Sequence, residues 1–407
     1  MFLVRMEGFV DELLGSFKQV FSHIFSKKLK IGIICHPFMG GSGISATSIA
    51  AGLAKRGHEV HLIVYKRPFK VDKKLVKVHL IPVKQESVFD YFPITLVTAS
   101  KIEEVIRKEK LDIINVHYAL PYSVSSYLAK QIALTKGVKI PIVTTLHGTD
   151  IHTIGKKKDF RSVIKFTLEN SDGIIAVSRY LADQAKEIEV HSEVKVIPNY
   201  IDVDKFKPDN SSEIKKLRKQ FAKEKEKVIL HVSNFRKVKR IEDIIRSFNL
   251  IKRKTKSNLV LVGAGPELKK MKELVTRLKL NKRVFFAGKQ KKIEKYYAMA
   301  DLFLLSSDKE GFPLSILEAM ASGVPVVSAK SGGVPELVVH GKTGYLVEKQ
   351  DIRGMANRSI KILTSSKLRN EMKIASREEV VEKYTKDKII SQYEDYFMKM
   401  SLKATKI

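Results

Sequence analysis

From Lys30 onward the chain alternates short, wholly apolar runs with longer stretches whose apolar positions recur at helical spacing. Ile31–His36, Val60–Tyr65, Val76–Val83, Ile113–Tyr118, Ile142–His147, Gly173–Ser178 and Val194–Pro198 are too brief for helices and read as strands. Helical patterns fill several gaps, among them Ser45–Lys55 and Ala99–Glu109. The rhythm restarts with Val228–Ser233, Leu259–Gly263, Val284–Gly288, Leu302–Ser306, Val324–Ala329 and Tyr345–Val347. Continuous apolar strands between helices mean parallel sheets covered on both faces. Two such series predict an α/β chain of two doubly wound domains. Their join falls within Pro198–Lys227, where Pro208-Asp209-Asn210-Ser211-Ser212 and a lysine-rich helix mark a boundary. Such sheets bind ligands at the carboxyl ends of their strands. Here that is the cleft between the domains.

Residues 1–29 stand apart. Phe9, Val10, Leu13, Leu14, Phe17, Val20, Phe21, Ile24 and Phe25 form one broad apolar face at helical spacing. Glu7, Asp11, Glu12, Lys18, His23, Lys27 and Lys28 occupy the rest, and the acidic residues argue against a signal peptide. A helix resting on a membrane surface is one reading. The others are a helix docked on its own domain, or translation from an upstream start codon with little function. Repulsion of Glu7, Asp11 and Glu12 by an anionic surface favours docking.

Composition narrows the field. The 407 residues carry 75 Lys+Arg against 44 Asp+Glu, a formal +31, which favours anionic partners. The single Cys35 lies in an apolar strand, so there is no disulfide framework and a reducing cytosol is expected. Cysteine-rich zinc binding is excluded on the same count. No apolar run reaches the roughly eighteen residues of a membrane span. Aromatic stacking motifs interleaved with basic residues are absent, so nucleic acid is not the expected partner despite the charge.

The candidate chemistry centres on two glutamates eight positions apart, Glu310 and Glu318, within Asp308-Lys309-Glu310-Gly311-Phe312-Pro313-Leu314-Ser315-Ile316-Leu317-Glu318. Strand, loop and helix follow in order, with Pro313 suited to the first helical position. A helix N-terminus favours a phosphate, and carboxylates beside it accept hydrogen bonds from hydroxyls. Together they suit a nucleotide sugar; separately they are a loop carboxylate and a surface helical one. Each half also opens with a glycine loop. Gly41, Gly43 and Ala46 satisfy the dinucleotide fingerprint, but strand two ends in Tyr65-Lys66-Arg67 without the acidic residue, which disfavours an oxidoreductase. The second loop is Gly263-Ala264-Gly265-Pro266-Glu267. Arg236, Lys237, Lys239 and Arg240 cluster at the end of the first strand of the second half, where Arg forks onto phosphate and Lys adds a point charge. Asp202-Val203-Asp204 has metal-binding spacing but sits at a turn by the domain join, so no metal is expected there.

These residues add up to a resemblance. Glu310-x7-Glu318 with Glu318-Ala319-Met320, Gly263-x-Gly265-Pro266-Glu267, the basic loop and Asn199-Tyr200-Ile201-Asp202 together resemble the family 4 retaining glycosyltransferases, over residues 30 to 400. The resemblance implies the GT-B fold: two Rossmann-like halves facing across a cleft. More narrowly, Pro37-Phe38-Met39-Gly40-Gly41-Ser42-Gly43, His117-Tyr118-Ala119-Leu120-Pro121, Val143–Asp150 and His231–Arg240 look like the branch that joins N-acetylglucosamine from UDP-GlcNAc to L-malate, in the first step of bacillithiol biosynthesis. That branch usually reads Glu-Ser-Phe-Gly where this chain has Glu310-Gly311-Phe312-Pro313, a form closer to transferases of surface polysaccharide and glycolipid. Such a transferase, resting on the membrane through residues 1–29, is the alternative.

The resemblance implies an acceptor domain at 30–200, a nucleotide-sugar domain at 201–380 and a terminal helix, 381–407, returning to the first domain. Arg236 and Lys239 match the diphosphate pair, Glu318 the ribose carboxylate and Glu310 the carboxylate near the sugar 3-hydroxyl. Gly41, Gly43, Gly265, Leu314 and Ser315 complete the expected donor site. Ser42, Tyr118, Thr145, His147 and Asn234 are the expected acceptor groups, with His147 orienting sugar or acceptor. No cofactor is implied, a homodimer is left open, and the expected location is the cytoplasm or the inner membrane face.

Overall fold

The computed structural model describes residues 27–36, 40–67, 71–72, 74–83 and 92–405. The amphipathic segment 1–26 and Pro37-Phe38-Met39 therefore lie outside the described residues.

Each apolar run expected as a strand is one. The first sheet has seven parallel strands: β1 (Lys30–Ile34), β2 (Glu59–Val64), β3 (Val76–Leu80), β4 (Ile113–His117), β5 (Ile142–Leu146), β6 (Gly173–Ala176) and β7 (Val194–Val196). Their order is β3-β2-β1-β4-β5-β6-β7. The second has six: β8 (Lys227–Val232), β9 (Ser257–Val262), β10 (Val284–Gly288), β11 (Leu302–Leu305), β12 (Val326–Ala329) and β13 (Gly344–Val347), ordered β10-β9-β8-β11-β12-β13. In both, the order reverses beside the first strand, leaving a crevice at the carboxyl ends of β1 and β8. The described helices include no segment long and apolar enough to cross a membrane.

Two helices begin earlier than their periodicity suggests. The first runs Gly41–Lys55, so Gly41, Ser42 and Gly43 form its first turn and not a loop before it. Glycine reads as a breaker because its backbone freedom costs stability in the middle of a helix, a penalty that does not bar it from the first turn. The helix Ile94–Glu109 likewise starts directly after Pro93 and not at Ala99.

The last helix, Lys386–Thr405, crosses back to the first sheet. Ile389, Ile390, Tyr393 and Phe397 are fully buried with Leu29, Ile31, Leu53 and Val143 in one apolar cluster. Gly52 permits the approach, since a β-carbon there would fall 2.6 Å from Ile390 Cδ1. Glu394 then accepts from Arg56 Nε at 2.6 Å and meets His58 Nε2 at 2.9 Å. Leu29 is itself core, so the first domain begins no later than that residue.

The halves touch where strand ends face each other. Asn199 spans the junction: its Oδ1 accepts from Ser45 Oγ at 2.7 Å, and its Nδ2 donates to the Phe312 carbonyl at 2.9 Å. Glu336 of the second half accepts the backbone N–H groups of Arg179 and Tyr180, both at 2.9 Å. Gly311 lies so close to β5 that a β-carbon would sit 2.3 Å from the His147 carbonyl oxygen. The departure to Gly at this position thus has a steric reason.

Candidate active site

In the second half, the basic loop after β8 is stitched to the loop after β11. Ser306 Oγ donates to the carbonyl oxygens of Lys239 (3.0 Å) and Arg240 (2.7 Å), and the Asp308 N–H donates to Val238 O at 2.9 Å. Lys239 Nζ consequently meets Glu310 Oε1 at 2.7 Å, with both side chains largely buried. Arg240 turns away to Asp243 at 2.6 Å and Asp308 at 3.6 Å, so it is spoken for structurally. Arg236 and Asn234 are exposed, and Arg236 carries no ion pair among the described residues.

The glycine loop after β9 packs directly on this basic loop. Phe235 N–H donates to Ala264 O at 3.1 Å, and Glu267 N–H to Phe235 O at 3.0 Å. A β-carbon at Gly265 would lie 2.5 Å from Phe235 O. Gly265 is thus required by loop-on-loop packing, whatever else it does.

Glu318 rides on the helix Leu314–Ala321. Leu314, Ser315 and Glu318 form its partly exposed face, while Ile316, Leu317, Ala319 and Met320 are buried. The Tyr297 hydroxyl donates to Glu318 Oε2 at 2.7 Å, anchoring the carboxylate. Pro313 is the residue before the helix and not its first, so its ring removes no N–H from the first turn.

The first half contributes a different kind of corner. His117 Nδ1 lies 2.7 Å from His147 Nε2, with the rings stacked at 5.0 Å. Burial drives the His147 pKa down to about 3 and that of His117 well below its ordinary value. Tyr118, at φ 87°, sets its ring against His147 at 5.6 Å. Its hydroxyl is hydrogen-bonded to Ser42 and Thr149; burial and Asp150 raise its pKa, and the charge of Arg236 from the other half opposes the rise. Asp150 is fully buried and accepts the N–H groups of Gly148 (2.7 Å), Ala119 (3.2 Å) and His147 (3.3 Å), which fixes the loop after β5.

Thus Ser42, Tyr118 and His147 gather near Arg236, while Lys239 and Glu310 form a pair facing them. Gly41 and Gly43 stand at the amino end of the first helix, with nothing within 4 Å of a β-carbon at Gly41. Thr145 does not join this group. It is fully buried, its hydroxyl accepting from Asn115 Nδ2 at 2.9 Å and bonded to Tyr393, so it belongs to the interior beneath the site. Asp202 Oδ1 accepts the N–H groups of Asp204 and Lys205 at 3.1 and 3.0 Å, a turn-forming role.

Three residues at the site went unassigned from sequence: His117, Asp150 and His152. His152 has its pKa lowered to about 4 by burial and by Lys309, and Glu310 opposes that shift. His117 and Asp150 lie within motif strings but show no signal of partnership. Theirs depends on β4 pairing with β5, with His117 opposite Thr145.

Known proteins match the chain over both halves. A model of glycosyltransferase family 4 matches residues 39–205, and one of glycosyl transferases group 1 matches residues 213–379. The chain is 42% identical over 373 residues to N-acetyl-alpha-D-glucosaminyl L-malate synthase of Bacillus anthracis, covering 91% of this chain and 97% of that protein. It is 31% identical over 243 residues to alpha-monoglucosyldiacylglycerol synthase of Streptococcus pneumoniae, covering 56% of this chain and 54% of that one. Among solved structures, HepE of Anabaena in complex with UDP-glucose superposes with a TM-score of 0.79 at 23% identity, over 90% of this chain and 99% of that one. A glycosyltransferase of Rickettsia africae gives 0.78 at 21%, over 92% and 99%. The fold is therefore GT-B, and the chain belongs to the family 4 glycosyltransferases, in the family of the Bacillus anthracis synthase.

Proposed function

We propose that the protein is a retaining glycosyltransferase that moves N-acetylglucosamine from UDP-GlcNAc to the hydroxyl of L-malate, the first step of bacillithiol biosynthesis. The observation that carries the choice of donor and acceptor is the 42% identity spanning nearly the full length of both this chain and the malate synthase. The site supports the chemistry. Breaking the anomeric bond leaves added negative charge on UDP and oxocarbenium character on the sugar. Preorganised cations at the departing phosphate are the largest available help. Arg236 and Lys239 supply them, with the helix starting at Leu314 adding its dipole.

Before substrate arrives Lys239 is held by Glu310. A bound diphosphate competes for that lysine, releasing the Glu310 carboxylate toward the sugar. Glu318, steadied by Tyr297, takes the ribose hydroxyls. Ser42, Tyr118, His147 and Asn234 take the acceptor's carboxylates and hydroxyl. An imidazole whose pKa is about 3 is a poor base near neutrality. The acceptor hydroxyl oxygen therefore bonds to the anomeric carbon as the carbon–phosphate oxygen bond breaks, and the departing phosphate takes the hydroxyl proton. Because attack comes from the face the phosphate leaves, configuration is retained. Two side-chain cations do the electrostatic work, so the proposal includes no metal in the transfer step and chelator should leave the rate unchanged.

The test combines purified protein, UDP-GlcNAc and L-malate, with UDP release, product mass and the anomeric proton coupling of the product measured. Malate-dependent UDP release and an α-linked product of the expected mass support the reading. UDP release that depends on a lipid or glycan acceptor and not on malate overturns it in favour of glycolipid or polysaccharide synthesis.

A further inference from the structure

A second constellation lies at the far edge of the first sheet. In the register of β2 and β3, His61 faces Lys77 and Ile63 faces His79, so Glu59, His61, Lys77 and His79 share one face. Two histidines in one short stretch of that face are unusual packing residues. The Ile94–Glu109 helix covers the same face, through Ile102 and Ile106 against Ile63. Its last residue, Glu109, points its carboxylate at the same spot.

The distances are those of ligands to a shared ion. His61 Nδ1 is 3.0 Å from His79 Nε2 and 3.8 Å from Glu109 Oε2. One ligand atom from each of the three residues falls within 4.8 Å of the others, the one such group of His, Cys, Asp or Glu among the described residues. Tetrahedral zinc, with bonds of about 2.0–2.1 Å, holds its ligand atoms about 3.3 Å apart. Glu109 has to shift toward the two histidines to close the difference. His61 Nε2 meets Glu59 Oε1 at 3.1 Å, so that nitrogen carries the proton and the Nδ1 lone pair is turned to His79 and Glu109. A carboxylate holding the non-ligating nitrogen is the usual support of a metal-bound histidine.

We propose that His61, His79 and Glu109 bind one divalent transition-metal ion of the zinc class, with Glu59 orienting His61. Two imidazoles and a carboxylate suit zinc better than calcium or magnesium, which prefer all-oxygen sets. Burial lowers the pKa of both histidines, which keeps them neutral and ready to ligate. Lys77 is the competing cation, reaching Glu59 at 2.6 Å and Glu109 at 3.4 Å. It is 57% exposed and free to swing into solvent when an ion displaces it. Glu109 precedes β4, at the amino side of the sheet and away from the catalytic cleft, so the ion would brace an edge strand and take no part in transfer.

Untagged full-length protein, stripped with chelator, is titrated with zinc by calorimetry and with cobalt by visible absorption. The expected result is one zinc per chain, tetrahedral cobalt bands and a higher melting temperature. His79→Gln and Glu109→Gln, on partly exposed residues, should each weaken zinc by at least about tenfold with the fold kept by circular dichroism, and Glu59→Gln by about 10–100-fold. Absence of zinc binding, or zinc affinity unchanged in both His79→Gln and Glu109→Gln, overturns the proposal.

Discussion

The two walls of the candidate active site are built from opposite materials. The second half presents ionised groups: the Lys239–Glu310 pair, the exposed Arg236 and the anchored Glu318. The first half presents neutral, mostly half-buried groups: His147 stacked on the buried His117, and Tyr118 tied to Ser42. In the proposed reaction the difference follows the substrates. A nucleotide diphosphate gains charge during the reaction, and only fixed charges respond strongly to that change. An acceptor hydroxyl has only to be held in line, for which a neutral hydrogen-bonding corner suffices.

The contrast predicts a ranking of losses. Glu310→Gln should lower kcat by about 10²–10³-fold with unchanged melting, because a neutral amide neither holds Lys239 nor faces the developing cation. UDP release at near the unmutated rate would remove Glu310 from the site. Arg236→Ala comes next, at about 10²-fold, falling mainly on kcat. A rise confined to KM would show that the arginine only binds.

His147→Gln should cost less than either, since a neutral donor or acceptor replaces another. A loss as large as that of Glu310→Gln breaks the comparison and makes His147 a reacting group. Its clearer signature is in stability. Folding holds His147 near pKa 3 and His152 near 4, whereas unfolded histidine titrates at about 6.5. Between these values the unfolded chain binds more protons, so stability rises with pH there. The melting temperature should be at its plateau above about pH 6.5 and decline as pH falls toward 4. His147→Gln should flatten that decline, measured by thermal melts across the range. A slope unchanged by the substitution would place the acid sensitivity elsewhere.

The smallest effect is expected from deleting residues 1–26. Both sheets and the whole charged wall lie outside that segment, so malate-dependent UDP release should persist. Insoluble or inactive truncated protein would instead tie residues 1–26 to the first core.

What the sequence made legible was whatever is local. Buried parallel strands are continuous apolar runs, so β1 to β13 could be read with errors only at their ends. Glu310, Glu318 and the basic loop are near neighbours on motifs whose charge is conspicuous. What stayed hidden was pairing across register. His117 and His147 stand thirty positions apart, and His61 and His79 eighteen; nothing in either neighbourhood announces the other. Thr145 failed for a related reason. It sits on the matched string two residues before His147, but it is inside the strand, where Asn115 and Tyr393 take its hydroxyl. The helix starts at Gly41 and Ile94 were missed because glycine and proline read as breaks, although both are tolerated where a helix begins.

The closing helix has a consequence for biosynthesis. Tyr393 and Phe397 fill the core beneath β1 and β5, yet they are translated after both sheets. The half that leaves the ribosome first is therefore the last to be completed, and the second half can finish its own core while the first still waits. An open apolar face on the first sheet during that interval is a natural client for chaperones. Nascent chains interrupted before Lys386 should be held there and removed, so that a completed first sheet is itself a report that translation passed the Lys386–Thr405 helix.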